Sequence, residues 1–119
     1  ENLLQNLELR FDNVIYRMGL AGSRNLARQL IRHNFFLING KRVNIPSYIL
    51  KKGDVFEPAE KKISKYPIKT GLDNVRNHSF PQWLAFDQEK NQGLVQSLPM
   101  REDITLPIEE QLIVELYSR

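Results

Sequence analysis

Hydrophobic positions along this chain of 119 residues fall into two rhythms. The first is helical. Leu7, Phe11, Val14, Ile15 and Met18 stand at i, i+4, i+7, i+8 and i+11, one apolar stripe that predicts a helix over residues 2–18. Gly19 follows as the left-handed residue on which such a helix stops. Ser23 opens a second helix, because its hydroxyl can accept from the orphan N–H groups of a first turn. Ala27, Leu30 and Ile31 face inward there, and Asn34 is a fitting stop, since asparagine tolerates positive φ.

The second rhythm is that of strands. Residues 35–38 and 41–45 are β-rich runs separated by Asn39-Gly40, the strongest short hairpin signal. Pro46-Ser47 breaks the second run. Lys51-Lys52-Gly53-Asp54 reads as another turn before a short strand at Val55–Glu57, closed by Pro58. Residues 58–70, with Lys61, Lys62, Lys65 and Lys69, read as a linker or frayed helix. Trp83–Phe86 and Leu94–Leu98 read as two more strands, with Asn91-Gln92-Gly93 near their turn. Ile108–Tyr117 fits both periods, and a short helix is the preferred reading. There are no internal repeats.

These elements predict an α+β fold: two packed helices against a small, mostly antiparallel sheet, with a C-terminal extension docked on it. Residues 8–70 form a basic helix–helix–hairpin unit. Residues 71–119 form the extension, which packs on that unit and on a protein neighbour.

Composition adds little beyond a folded protein: 41% hydrophobic and 26% charged residues. No apolar run approaches the roughly 20 residues needed to span a bilayer, and no signal-peptide pattern opens the chain. Glu1 in place of an initiating methionine marks the chain as processed or as part of something longer. With no cysteine, disulfides, thiolate zinc sites and cysteine nucleophiles are excluded within these residues.

Charge distribution is more informative than the net +3. From Arg10 to Lys52 nine Lys/Arg stand against one acid, Asp12, a balance of +8, whereas from Asp54 onward eight basic and eleven acidic residues give −3. That asymmetry points to one half that meets a polyanion and another that packs or meets other partners.

Arg24, Arg28 and Arg32 stand at i, i+4 and i+8 on the outer face of the second helix, next to Arg10 and Arg17 of the first. Each guanidinium offers a planar fork of donors to phosphate oxygens, and the stripe has no acid on its own face. Lys41 and Arg42 put two more cations at the hairpin tip. Tyr16 and Tyr48 are either stacking faces for bases or half-buried core residues. Asp12 either pairs with a neighbouring arginine or bonds within its helix. His33, at a helix C-terminus, reads as a dipole partner or a phosphate contact. Two histidines, His33 and His78, do not make a metal cluster. No glycine-rich phosphate loop or nucleophile elbow occurs, so no catalytic residue is assigned.

The segments Arg10-Phe11-Asp12-Asn13-Val14-Ile15-Tyr16-Arg17-Met18-Gly19, Ser23-Arg24, Ala27-Arg28-Gln29-Leu30-Ile31 and Ile38-Asn39-Gly40-Lys41-Arg42-Val43-Asn44-Ile45-Pro46-Ser47-Tyr48 closely resemble the RNA-binding domain named after small-subunit ribosomal protein S-four. That domain occurs in several families. Pro81-Gln82-Trp83-Leu84, Leu98-Pro99-Met100-Arg101-Glu102-Asp103-Ile104 and Glu110-Gln111-Leu112-Ile113-Val114-Glu115-Leu116-Tyr117-Ser118-Arg119 are similar to the C-terminal part of the bacterial-type S-four family itself.

The resemblance implies a primary binder of small-subunit ribosomal RNA that acts early in subunit assembly and holds a junction of RNA helices in the 5′ part of that RNA. It also implies a contribution to translational accuracy through ribosomal protein S-five, contacts with other small-subunit proteins, and in bacteria repression of the protein's own messenger. It implies no cofactor, no metal held by these residues, no small-molecule substrate and no membrane. The location implied is the ribosome of a bacterial cytoplasm, a mitochondrion or a plastid. Carried over position by position, the RNA-facing set is Arg10, Asn13, Tyr16, Arg17, Ser23, Arg24, Arg28, Gln29, Arg32, His33, Lys41, Arg42, Ser47 and Tyr48. Residues 101–119 pack on the rest of the chain or meet the protein neighbour.

Position 34 is usually glycine in the family and is asparagine here. Phe35-Phe36 replaces a commoner small or β-branched pair, and residues 58–78 match only loosely. The family's helical N-terminal region, which sometimes holds a cysteine zinc site, has no counterpart among these residues. The rival readings share the same RNA-binding domain: a pseudouridine synthase fragment, a tyrosyl-tRNA synthetase tail or a small stress protein of stalled ribosomes. Gly71-Leu72-Asp73-Asn74 resembles the synthase's catalytic-aspartate segment but lacks the arginine expected before the aspartate. A DNA-binding module is a further rival.

Overall fold

The computed structural model describes residues 2–63 and 65–99. In chain order they form α1 (Asn2–Glu8), α2 (Phe11–Met18), α3 (Arg24–Arg32), β1 (Phe36–Ile38), β2 (Lys41–Arg42) and β3 (Val55–Pro58). A 3-10 turn (Glu60–Lys62), α4 (Tyr66–Arg76), β4 (Leu84–Asp87) and β5 (Gln92–Val95) complete them. The architecture is α+β. Every strand pairing is antiparallel, in the order β2-β1-β3-β5-β4.

The helix expected over residues 2–18 is two helices. Arg10 is extended (φ −58°, ψ 139°) and forms an antiparallel bridge with Ile49. The reason is competition for backbone donors. The N–H of Phe11 donates to the Tyr48 carbonyl (2.8 Å) and that of Asp12 to the Pro46 carbonyl (3.0 Å), while Leu50 donates back to Leu9 (2.9 Å). These bonds satisfy donors that otherwise lack partners at a helix start. The apolar stripe survives from Phe11 onward, with Phe11, Val14, Ile15 and Met18 buried, whereas before the break Leu7 is only half-buried and Leu9 is the buried residue. The same bonds shorten the second hairpin strand. Expected over 41–45, it stops at Arg42, because residues 43–50 leave the sheet edge to cover the start of α2.

Both helix stops follow their sequence signals. Gly19 has φ 96°, with bonds from Gly19 N–H to Tyr16 (3.0 Å) and from Leu20 N–H to Ile15 (3.1 Å). Asn34 has φ 62°, with the equivalent bonds from Asn34 to Ile31 and from Phe35 to Leu30, both 3.1 Å. Each is the 6→1, 5→2 pair of a Schellman motif. Asparagine thus fills a left-handed position. At Asn39-Gly40 both residues have positive φ (52° and 79°), as a type I′ hairpin turn requires.

Residues 58–70, expected as a linker or frayed helix, carry the start of α4, which continues to Arg76. Pro67 sits in its first turn, where a missing N–H costs nothing. Ile68, Gly71, Leu72 and Val75 make its inner stripe, and Gly71 is the point of closest approach. A Cβ there would lie 2.2 Å from the Leu20 carbonyl oxygen. The two late strands are displaced from expectation, to Leu84–Asp87 and Gln92–Val95. The turn uses Asp87, whose Oδ1 accepts from Glu89 (3.0 Å) and Lys90 (3.3 Å), and Asn91 at φ 55°. Gly93 therefore belongs to a strand, where the Phe56 ring leaves room for no larger residue. The expected helix at Ile108–Tyr117 lies outside the described residues.

The core joins the helices to the sheet. Phe11 of α2 meets Phe36 of β1 edge to face at 6.1 Å, and Ala27, Leu30, Ile31, Phe56, Trp83 and Val95 are buried around them. Polar residues on α2 and α3 that do not enter this core lie at the junction of the two helices.

Candidate nucleic-acid interface

Two polar clusters organise the junction of α2 and α3. The first centres on Asp12, in the opening turn of α2, where the partial positive charge of the helix N-terminus favours a carboxylate. Asp12 is only 2% exposed. Its carboxylate accepts from Arg10 through Nε and Nη2, both at 3.1 Å, and from Arg28 Nε of α3, also at 3.1 Å. Its Oδ1 further accepts the Asn13 N–H at 2.7 Å. Two cations on one buried anion leave the group positive, and both guanidinium groups stay partly in solvent, at 35% and 43% side-chain exposure. Among the described residues, the Nη groups of Arg28 make no hydrogen bond.

The second cluster centres on Asn13, also buried. Its Nδ2 donates to the Glu8 carbonyl (2.7 Å) and to Glu8 Oε1 (3.2 Å). Its Oδ1 accepts from Arg24 Nε (3.2 Å) and Nη2 (3.0 Å). The Arg24 guanidinium lies 4.7 Å from the centroid of the Tyr16 ring, a cation–π contact that adds to its fixation. Asn13 therefore faces inward and aims Arg24.

The arginine stripe is thus not without acids. Asp12 of α2 reaches it across the helix junction. Arg28 is tethered to the Asp12 carboxylate and Arg24 to the Asn13 amide, while Arg32 is exposed at the end of α3. Gln29 and His33 are exposed beside it, His33 as the residue that ends α3. Arg17 is half-buried near the end of α2, and its carbonyl lies 3.1 Å from Nε2 of His78. Ser23 is exposed, with its hydroxyl accepting the Leu26 N–H at 3.1 Å as the cap of α3. Ser47 is exposed and Tyr48 half-buried, and the 46–50 segment carries both to the start of α2 beside Arg10.

Lys41 and Arg42 stand apart from these clusters on β2, the edge strand, opposite Ile38 and Leu37. Both are exposed, and among the described residues no hydrogen bond or ion pair links them to the helices. Their hairpin is locked to the sheet by Asn39, whose Oδ1 accepts from Val55 N–H (3.0 Å) and whose Nδ2 donates to Asp54 Oδ1 (3.0 Å). The side-chain bonds that join Asn39 to Asp54 and Val55 carry no sequence signal, since they form between distant segments. Asp12 did carry one, as the lone acid of a +8 segment.

Chemically, the arrangement offers forked, partly desolvated guanidinium donors at fixed spacing, which suits phosphate oxygens and base faces better than loose lysines would. The model of the S4 domain matches residues 9–56, from the end of α1 to the start of β3. Similarity to known proteins extends further, through α4 and the β4–β5 hairpin. The chain is 56% identical over 119 residues, its whole length, to small ribosomal subunit protein uS4 of Acetivibrio thermocellus, of which it covers 57%. It is 55% identical over 117 residues to uS4 of Desulfosudis oleivorans (98% of this chain, 56% of that protein). With uS4A of Myxococcus xanthus the identity is 51% over 119 residues, again 57% of the relative. Residues 9–56 are an S4 domain, and over its whole length the chain is similar to part of uS4.

It spans little more than half the length of these curated uS4 relatives. The uS4 match also accounts for Gly71-Leu72-Asp73-Asn74. In this chain the segment lies inside α4, where Gly71 packs on the Leu20 carbonyl and the Asn74 Nδ2 donates to the Gly19 carbonyl at 2.8 Å.

Proposed function

We propose that this chain is the RNA-binding part of a structural protein of the small ribosomal subunit, and that its partner is small-subunit ribosomal RNA. The supporting observation is the α2–α3 junction, where arginines are fixed on a buried carboxylate and a buried amide, in a chain similar over its whole length to proteins named uS4. Arg10, Arg24 and Arg28 meet phosphates in a set geometry, with Arg32, His33 and Gln29 extending the contact along α3. Lys41 and Arg42 supply a second point of attachment at the sheet edge, and Tyr16 and Tyr48 offer ring faces to unpaired bases. Asn13 and Ser23 act from behind, one by aiming Arg24 and the other by capping α3. The role is one of binding and scaffolding rather than catalysis.

Within the subunit, this reading places the protein among the early binders that nucleate assembly. The acidic-apolar end, residues 101–119, meets ribosomal protein S-five and other neighbours and through them supports accuracy. The site of action is the ribosome, in a bacterial cytoplasm or an organelle.

The test is filter binding of the 119-residue chain to a transcript of the 5′ part of small-subunit ribosomal RNA across a salt series. Arg28→Ala and Lys41→Ala each weaken binding, and each flattens log K against log[salt] by roughly 0.7–0.9, one phosphate contact. Unchanged affinity and slope in both variants would refute the proposal. For the accuracy role, substitutions between Leu112 and Tyr117 alter misreading in cells while sparing RNA affinity. Normal misreading in such cells would count against it.

A further inference from the structure

Asp12 is a carboxylate on a surface proposed to meet a polyanion. Judged by charge alone it weakens that contact, and its removal would strengthen binding. The geometry points the other way: we infer that Asp12 is a positioning residue for RNA recognition, which fixes the Arg10 and Arg28 guanidinium groups relative to each other. The inference rests on the proposed RNA-binding reading and deepens it.

Three observations carry it. Asp12 is almost fully buried, so the RNA meets the arginines and not the acid. Its carboxylate is shared between two chain segments, with Arg10 from the α1–α2 junction bonded through two nitrogens and Arg28 from the next helix through Nε. The contacts at Arg28 use Nε alone, so its two Nη groups remain to donate in parallel to one phosphate. Without Asp12 each arginine regains several rotatable bonds of freedom, which binding must then order. The two arginines also repel each other once the shared anion is gone. The carboxylate itself is held by the Asn13 N–H and by the α2 N-terminus, so it does not swing out toward the RNA with its partners.

The test is a double-mutant cycle on RNA affinity, using the 119-residue chain and the same ribosomal RNA transcript at one salt concentration. Thermal melts confirm that every variant is folded at the assay temperature. Asp12→Asn keeps the shape of the side chain and raises the net charge by one. Binding is expected to weaken about tenfold, against the tightening that charge alone predicts. Arg28→Ala is expected to weaken binding by a similar factor. The double variant is expected to lie within about threefold of the weaker single one, since both changes remove the same oriented guanidinium.

Arg28→Lys guards against a folding defect at position 12, because position 28 is partly exposed and the charge is retained. It is expected to bind nearly as poorly as Arg28→Ala, since an ammonium cannot bond Asp12 through one nitrogen and present two more to a phosphate. Tighter binding by Asp12→Asn, full additivity in the cycle, or wild-type affinity for Arg28→Lys would each overturn the inference. If Arg28→Ala alone leaves affinity and salt slope unchanged, it is the RNA-binding reading of this face that fails.

Discussion

Gly71→Ala isolates what α4 does for the RNA-facing helices. In an exposed helix interior this substitution is stabilising by about 1 kcal/mol, because alanine loses less backbone entropy than glycine. Here the new Cβ would lie 2.2 Å from the Leu20 carbonyl oxygen and 3.0 Å from its carbon, against 3.4 Å or more for ordinary contact. Something must move by about 1 Å. The Leu20 carbonyl cannot yield easily, because Leu20 is buried in the motif that ends α2, with its N–H on Ile15. So α4 tilts away, straining the burial of Ile68 and Val75 and the 2.8 Å bond from Asn74 to the Gly19 carbonyl. Overpacking of this kind costs about 1–3 kcal/mol, and the lost hydrogen bond adds about 1. Set against the gain in helix propensity, the net loss is about 1–3 kcal/mol.

For a domain near 100 residues that loss corresponds to a fall in Tm of roughly 5–15 °C. Urea denaturation followed by circular dichroism measures it directly, with the slope m unchanged if both variants unfold cooperatively. Gly22→Ala is the matched control. It lies in the α2–α3 connection with nothing within 4 Å of its added Cβ and without a positive φ, so its stability stays level or rises slightly. Equal or greater stability for Gly71→Ala would refute the close approach of α4 to Leu20.

Gly93→Ala brings a Cβ to 2.3 Å from the fully buried Phe56 ring and is expected to cost about 2 kcal/mol by the same urea assay, through overpacking between β3 and β5. Asn39→Ala removes both side-chain bonds to the Asp54–Val55 backbone and carboxylate and places alanine at φ 52°; hydrogen exchange at the Val55 amide is expected to accelerate about tenfold or more. Ser23→Asp keeps a capping oxygen for the Leu26 N–H and suits the helix N-terminus, so the melting temperature holds, while the added negative charge lowers ribosomal RNA affinity severalfold at low salt.

Capping and turn signals in the sequence hold where one segment suffices. Ser23 caps α3, Gly19 and Asn34 take left-handed φ at the helix ends, and Asn39-Gly40 turns the hairpin, since each needs only its neighbours. The break at Leu9–Arg10 was not legible, because residues 46–50 compete for the N–H groups of Phe11 and Asp12 from nearly forty positions away. Helix α4 was hidden for a different reason. Its inner stripe of Ile68, Gly71, Leu72 and Val75 includes a glycine whose place is set by the Leu20 carbonyl of a distant segment. Gly93 misled in the same way, as a turn residue that belongs to a strand under Phe56.

The site was legible in part. The arginine spacing and the basic half could be read, and so could the option that Asp12 pairs with a neighbouring arginine. That the same carboxylate joins Arg10 to Arg28, and that Asn13 faces inward to hold Arg24, required the α2–α3 packing.

The central claim is that ribosomal RNA meets the α2–α3 face and the hairpin edge. Arginine side-chain Nε–Hε resonances test it most directly, observed by 15N NMR as the ribosomal RNA transcript is added to the labelled chain. Arg10, Arg24, Arg28, Arg32 and Arg42 are expected to shift or broaden together at stoichiometric RNA, while Arg76, exposed at the end of α4, stays in place. A response at Arg76 with none at Arg10, Arg24 and Arg28 would contradict the account.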